Sequence, residues 1–471
     1  MTETTPRRFR FAWWHCAVLA VVVLLVASGA AAAGWRALGR SQYLTVVERL
    51  RAAGRPASVD EYVATAPVVD RALQEDWSAW QKRMSGAPFA NYAGDLQVQQ
   101  GHWDAWVTAH GPRPVAVEAI LARMAPAMAD ALPMLQHRDL VVSGFGWIAQ
   151  DLPPGKRMMP FTSGLRLANL LAVRELATWL GYEAVLADDP RQRLGELDAL
   201  VASLRRPASL IDAMLTIAVA GMRDRTYVEL ALRGTLPAER RQAWLVEPAR
   251  ALGLVADGME GESVLTGHGT AAMLGASASP FSFRLEAPGW SGAWSGLVIW
   301  TTGYRDCATI IEVQSHLAQR LRGERVDAWE TWDQIKGRLG PFGRIICPNL
   351  TECAISGLQA DAGHRSARLA VRVIALARQG SLPVDQAALV SALEDPQVLV
   401  PPGGDALRLR YEVPAPGRFR LVIDPTSPIP NFDDAKRQVW RSASAGTPPA
   451  NEPVMWSRQG ILIELAMGPD P

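Results

Sequence analysis

Hydrophobic positions run almost unbroken at the start of the chain and then settle into a helical rhythm. Residues 12–33, AWWHCAVLAVVVLLVASGAAAA, carry no acidic or strongly basic side chain. At about 1.5 Å per residue they form a helix of roughly 33 Å, enough to cross a bilayer core. Beyond them, apolar residues recur at three- and four-residue spacing in VDRALQEDWSAWQKRM, DLQVQQGHWDAWVTAH and RPVAVEAILARMAPAMADAL, the mark of helices with one buried face. The strongest such stripe is FTSGLRLANLLAVRELATWLGYEAVLA; PRQRLGELDALVASLRR and SLIDAMLTIAVAGMRDRTYVELALRG continue it. Short breaks between these segments predict antiparallel helical hairpins.

One phrase punctuates the helices three times: LALRGTLPAERRQAW from Leu230, ALARQGSLPVDQAAL from Ala375, and more loosely LRAAGRPASVDEYV from Leu50. Gly234 and Gly380 stand where a helix must stop, and glycine accepts the left-handed conformation that ends helices. Pro237 and Pro383 then suit the first turn of the next helix. The phrase reads as a corner between helices.

The rhythm lapses over residues 253–300, where GMEGESVLTGHGTAAMLGASASPFSFRLEAPGWSGAWSG is rich in Gly, Ser and Ala; an irregular surface excursion is expected there. Helix returns in YRDCATIIEVQSHLAQRLRG, VDAWETWDQIKGRL and SARLAVRVIALARQG. The tail alternates instead: ALRLRYEV, a turn at APG, and RFRLVID predict a hairpin, with GILIELAM as a third strand. The fold class is therefore mainly α: a transmembrane helix, an array of helical hairpins and a small C-terminal α+β unit. Its expected divisions are a cytoplasmic tail 1–11, the membrane span 12–33, a helical region 34–252, the irregular segment 253–300, a helical region 301–395 and a hairpin unit 396–471.

Composition adds little to a function. Lys+Arg number 48 against Asp+Glu 47, which leaves no basic footprint for nucleic acid. The apolar span decides more. Arg7, Arg8 and Arg10 precede it, and Trp13, Trp14 and Trp35 flank its two ends, as interfacial indoles do. Ala31-x-Ala33 also fits a signal-peptidase site, but the length and the tryptophans favour a permanent anchor. The expected location is the bacterial inner membrane, single-pass, with the bulk of the chain periplasmic and the lipid bilayer contacted through residues 12–33.

Candidate chemistry is sparse. Cys347 and Cys353 in CPNLTEC would close a small disulfide loop in an oxidising compartment or remain buried thiols, with Cys307 left over. No metal site and no cofactor are indicated: the seven histidines are scattered, and HExxH, P-loop, GxGxxG and GxSxG motifs are all missing. His268 in GHGT is the most enzyme-like isolated residue, a candidate for catalysis, but a lone histidine in a glycine-rich loop reads first as exposed; Asp424, Asp433 and Asp434 could hold calcium but lack the EF-hand spacing and read as turn chemistry. Three W-x-x-W pairs stand out among 17 tryptophans: Trp77/Trp80, Trp103/Trp106 and Trp329/Trp332. Residues three apart share a helix face, so each pair is either core packing or one wall of a glycan- or peptide-binding groove.

The order RLAVRVIALARQGSLPVDQAALV, LRLRYEV, RFRLVI resembles the C-terminal part of a group of uncharacterised single-pass bacterial envelope proteins, with helix, G-x-(L)-P, short helix and hairpin in succession. VVERLRAAGRPASVDEYV resembles their membrane-proximal part, and the same order is similar to the globular part of type II secretion pseudopilins. The pseudopilin processing signal, a glycine before Phe or Met with glutamate five residues on, is missing between Arg10 and Leu19. The resemblance implies no catalytic residues. The expected function is a membrane-anchored scaffold or binding protein of the bacterial cell envelope with an envelope protein as partner. An envelope hydrolase acting on glycan or peptide, and a pseudopilin-like secretion component, are the alternatives.

Overall fold

A computed structural model describes residues 8–65, 70–84, 92–107, 112–140, 142, 170–204, 207, 209–276, 290–322, 332–340, 343, 344, 347, 349–393, 407–415, 418–425, 454–457 and 460–464. The chain is mainly helical, with one long apolar N-terminal helix and a small antiparallel sheet near the C-terminus. Helix α1 (Arg8–Ala52) has 45 residues, about 68 Å of continuous helix. Within it, a stretch of mean hydropathy 2.6 is wholly unburied: Val18, Leu19 and Val21 to Val26 all face outward. Further along, the same helix changes role, and Val46, Val47 and Leu50 pack against Ala308 and Ile311.

After α1 come α2 (Val59–Ala64), α3 (Arg71–Arg83), α4 (Tyr92–Val98), α5 (Gln100–Val107), α6 (Val115–Ala129) and α7 (Leu132–Leu135). Then follow α8 (Leu170–Leu186), α9 (Arg191–Ser203), α10 (Leu210–Arg233), α11 (Ala238–Leu245) and α12 (Ala251–Glu262). The π-helical segment Ser263–His268 leads into α13 (Gly269–Ala276), followed by α14 (Trp290–Arg322), α15 (Trp332–Arg338), α16 (Leu350–Arg378) and α17 (Gln386–Ala392).

The long helices α10 and α16 pack on each other at the centre. On one side lies the largest core, where Leu176, Leu180, Leu197, Val228, Leu230, Leu369 and Ile374 are buried among the tryptophans of α3 and α5. On the other side α12, α14 and the start of α16 enclose a second core around Met259, Ile310, Ile335 and Leu350. Side-chain caps begin the helices as the sequence directs: Ser58, Asp70, Ser209, Asn349 and Asp385 each accept a hydrogen bond from a first-turn N–H.

The three repeated phrases are corners. Gly54, Gly234 and Gly380 have φ of 69°, 78° and 73°. In each case the N–H of the next residue (Arg55, Thr235, Ser381) bonds to the carbonyl five positions back (Leu50, Leu230, Leu376) at 2.9–3.0 Å, closing a Schellman motif. The prolines sit slightly differently from expectation. Pro237 is the extended N-cap of α11, with ψ 134°, and Pro383 lies two residues before the Asp385 cap of α17. Both stand just outside the following helix, because the chain needs extended residues to reverse before helix can resume.

The reading of residues 253–300 as irregular is overturned over its described parts. Residues 253–276 continue as helix through α12, the π segment and α13, and α14 begins at Trp290; residues 277–289 lie outside the described set. Gly258 and Gly267 serve close packing rather than turns. A Cβ on Gly258 would fall 2.8 Å from the Ser209 carbonyl, and one on Gly303 would fall 2.7 Å from Leu274 Cδ1. Small residues let helix axes approach closely, and that need outweighs glycine's low helix propensity.

The C-terminal sheet runs in the order β1-β2-β4-β3, from β1 (Leu407–Ala415), β2 (Arg418–Pro425), β3 (Val454–Ser457) and β4 (Gly460–Glu464). All pairings are antiparallel. The hairpin and the third strand at GILIE form where alternation places them, and Val454–Ser457 adds a strand that the sequence reading did not include. Leu409, Tyr411, Phe419 and Leu421 bury one face of the hairpin, and the Tyr411 hydroxyl donates to the Pro383 carbonyl at 2.8 Å. The helix corner thereby fixes the sheet.

Candidate functional site at the base of the long N-terminal helix

Where α1 meets the body, it is clamped rather than hinged. Arg36 donates to the Trp300 carbonyl at 2.8 Å and to the Leu274 carbonyl at 2.6 Å. Its guanidinium also lies 4.5 Å from the Trp300 ring centroid and 5.1 Å from that of Tyr304, a cation–π geometry. One turn on, Gly39 lets the backbone of α14 come close: an added Cβ would sit 3.1 Å from Arg305 N. Arg49 pairs with Glu312 at 2.9 Å, and Arg55 with Glu260 at 2.6 Å.

Beside this clamp lies a cavity of about 400 Å³ lined by Arg40, Tyr43, Leu44, Ser58, Val59, Asp60, His268, Ala271, Ala272 and Tyr304. It is built from α1, α2, α13, α14 and the last residue of the π segment. His268 is only 2% exposed, which overturns its reading as an exposed loop residue. The wider π turn carries His268 into the interior; such segments recur at functional sites. Gly267 makes the position possible, because a Cβ there would collide with Ile311.

Nδ1 of His268 shares a 2.9 Å hydrogen bond with the Tyr43 hydroxyl, and Nε2 has no partner among the described residues. Burial pushes the imidazole from an ordinary 6.5 down to about 4, with Glu61 and Arg51 adding small opposed effects. At neutral pH the ring is uncharged. The phenol is the stronger acid of the pair, so Tyr43 donates to Nδ1 and His268 holds its proton on Nε2. Cys307 packs nearby with Tyr304, but burial pushes its thiol far above the usual range, and a protonated thiol is a poor nucleophile. The cluster is equipped to bind a hydrogen-bond acceptor.

A second buried histidine has a different environment. His364 Nδ1 lies 2.8 Å from Asp224 Oδ2, and Nε2 lies 3.3 Å from the Glu247 carbonyl. Trp244 donates to Asp224 Oδ1 at 3.0 Å, and Arg223 pairs with Glu247 at 2.9 Å. Burial alone would lower the imidazole's affinity for a proton, but Asp224 outweighs it and the net direction is upward. Both ring nitrogens are engaged, so this network ties α10, α11 and α16 together and offers no free group to a substrate.

Two of the three tryptophan pairs lie in the core. Trp77, Trp80 and Trp103 are at most 1% exposed, and Trp106 is 7% exposed. The ring centroids are 4.8 Å apart in the first pair and 5.3 Å apart in the second. Trp80 donates to the Ala127 carbonyl at 2.9 Å, Trp103 packs on Tyr182 at 4.3 Å, and Arg233 covers Trp106 at 3.9 Å. Trp329 lies outside the described residues, as do Asp433 and Asp434, and nothing is described of the Trp332 side chain. Cys307, Cys347 and Cys353 are free thiols. Among the described residues no three His, Cys, Asp or Glu side chains gather to hold a metal ion.

The sequence reading marked His268 but missed its partners. Tyr43 lies 225 residues away in the chain, and no local pattern joins the two. Comparison with known proteins places the chain in no family: no protein-family model, curated protein or solved structure matches it.

Proposed function

We propose that the chain is a membrane-anchored binding or scaffold protein of the bacterial cell envelope, with its helical body held rigidly at the membrane surface. The observation that carries this reading is the single helix α1. Its apolar stretch from His15 onward is unburied, and its C-terminal part is packed into the body. A cleaved leader has no need to continue into the fold it delivers, whereas an anchor that must hold a body at fixed height does. The outer half of α1, with the Arg36 clamp, supports the scaffold reading over a flexible tether.

Alkaline carbonate extraction of native membranes, combined with a C-terminal alkaline phosphatase fusion, tests the proposal. Retention in the pellet with an active fusion is expected. Release into the supernatant, or an inactive fusion in intact cells, would contradict it.

A further inference from the structure

The cavity at the foot of α1 has a composition that selects its ligand. Arg40 supplies a cation, Asp60 a carboxylate and His268 a neutral donor, while Leu44, Val59, Ala271 and Ala272 provide apolar walls. His268 is buried and its Nε2 has no partner among the described residues, although buried polar atoms in folded proteins almost always find one. Arg40 is five residues past Trp35, about 8 Å of helix beyond an indole that is 48% exposed. That distance places the cavity at the depth of lipid headgroups once the apolar part of α1 spans a bilayer.

We propose that this cavity binds the zwitterionic phosphodiester headgroup of a membrane phospholipid, its phosphate oxygens accepting from Arg40 and His268 Nε2 and its ammonium beside Asp60. The inference rests on the reading of α1 as a membrane anchor. A lining with one cation and one anion favours a zwitterion over a singly charged headgroup, because an anionic lipid leaves Asp60 facing like charge. A cavity of about 400 Å³ lies within the range of small-ligand sites, and the acyl chains would remain outside it, along the apolar face of α1.

The test titrates the full-length protein in a nonionic detergent with dihexanoyl phosphatidylethanolamine, following tryptophan fluorescence and melting temperature. Saturable binding is expected, weakened about tenfold in Arg40→Gln and in Asp60→Asn, two cavity-rim changes chosen to spare the core. His268→Gln should weaken it as well. Dihexanoyl phosphatidylglycerol should bind about tenfold less well. No saturable response, or an unchanged response in both rim variants, would overturn the proposal. Equal binding of phosphatidylglycerol would overturn the zwitterionic selection, and soluble glycerophosphoethanolamine binding as tightly as the lipid would overturn the membrane source. Because the titration is done in detergent, its failure is distinct from failure of the anchor, which carbonate extraction reads separately.

Discussion

Buried and uncharged, His268 should make the end of the body that packs on α1 sensitive to acid. Its folded-state value is about 4 against an ordinary 6.5. For a base whose folded value is depressed, the unfolded chain binds the extra proton between those two values. The stabilisation is complete above pH 6.5 and is lost as pH falls from 6.5 towards 4. Each pH unit in that window is worth about 1.4 kcal/mol, so the whole crossing removes about 3 kcal/mol. The charges that act on the ring, Glu61 and Arg51, work in opposite directions and leave burial in control. The assay is guanidinium unfolding of the detergent-solubilised full-length protein at pH 7.5, 6.0 and 4.5, for wild type and His268→Gln. The difference between the two proteins cancels other titrating groups. Wild type should lose about 2.5 kcal/mol more than the variant over this range, which stops short of the folded value. Parallel stability curves would mean that the imidazole is hydrated and charged in the folded state, and the buried Tyr43–His268 arrangement would be refuted.

Other outcomes follow from the packing. Trp103→Ala should cost about 3–5 kcal/mol in a denaturant melt, since the indole is 0% exposed; a cost below about 1 kcal/mol would place it at a surface. Gly267→Ala should cost about 1–3 kcal/mol by forcing a methyl into Ile311. Gly253→Ala, in a helix with nothing near its added methyl, should be neutral or stabilising by up to about 1 kcal/mol. The His364–Asp224 pair has the opposite pH sign to His268. The raised imidazole contributes stability below pH 6.5 that is lost as pH rises through its folded value. Asp224→Asn should lower the His364 midpoint in an NMR titration, and an unmoved midpoint would show that the two do not interact.

Much of the architecture was legible because it is written locally. The apolar span, the helical stripes of α8 and α10, and the Gly-turned corners at Gly54, Gly234 and Gly380 each depend on a few adjacent residues. The alternation of LRLRYEV and RFRLVI likewise specified β1 and β2. Glycine misled over residues 253–276 because its sequence signature is the same whether it opens a turn or admits a neighbouring helix. Gly258 and Gly267 do the second, and only the positions of Ser209, Ala213 and Ile311 reveal it. The W-x-x-W pairs could be placed on helices, but whether their shared face meets solvent or core depends on α6 and α8, which cover it. The candidate site was the least legible feature. It joins Arg40 and Tyr43 of α1 to Asp60, His268 and Tyr304, residues that only the packing of α1 on α14 brings together.

The rigid junction of α1 with α14 can be tested directly with a disulfide. A Cβ added at Gly39 lies 3.4 Å from the Cβ of Arg305, close to the roughly 3.8 Å typical of disulfides. The Gly39→Cys/Arg305→Cys variant, expressed full-length and oxidised with copper phenanthroline in carbonate-washed membranes, should form an intramolecular 39–305 crosslink in nearly every molecule, read by mass spectrometry of tryptic peptides. Protein that remains in the membrane pellet with both thiols free would contradict a rigid junction between anchor and body, and protein lost to the wash would contradict the anchor itself.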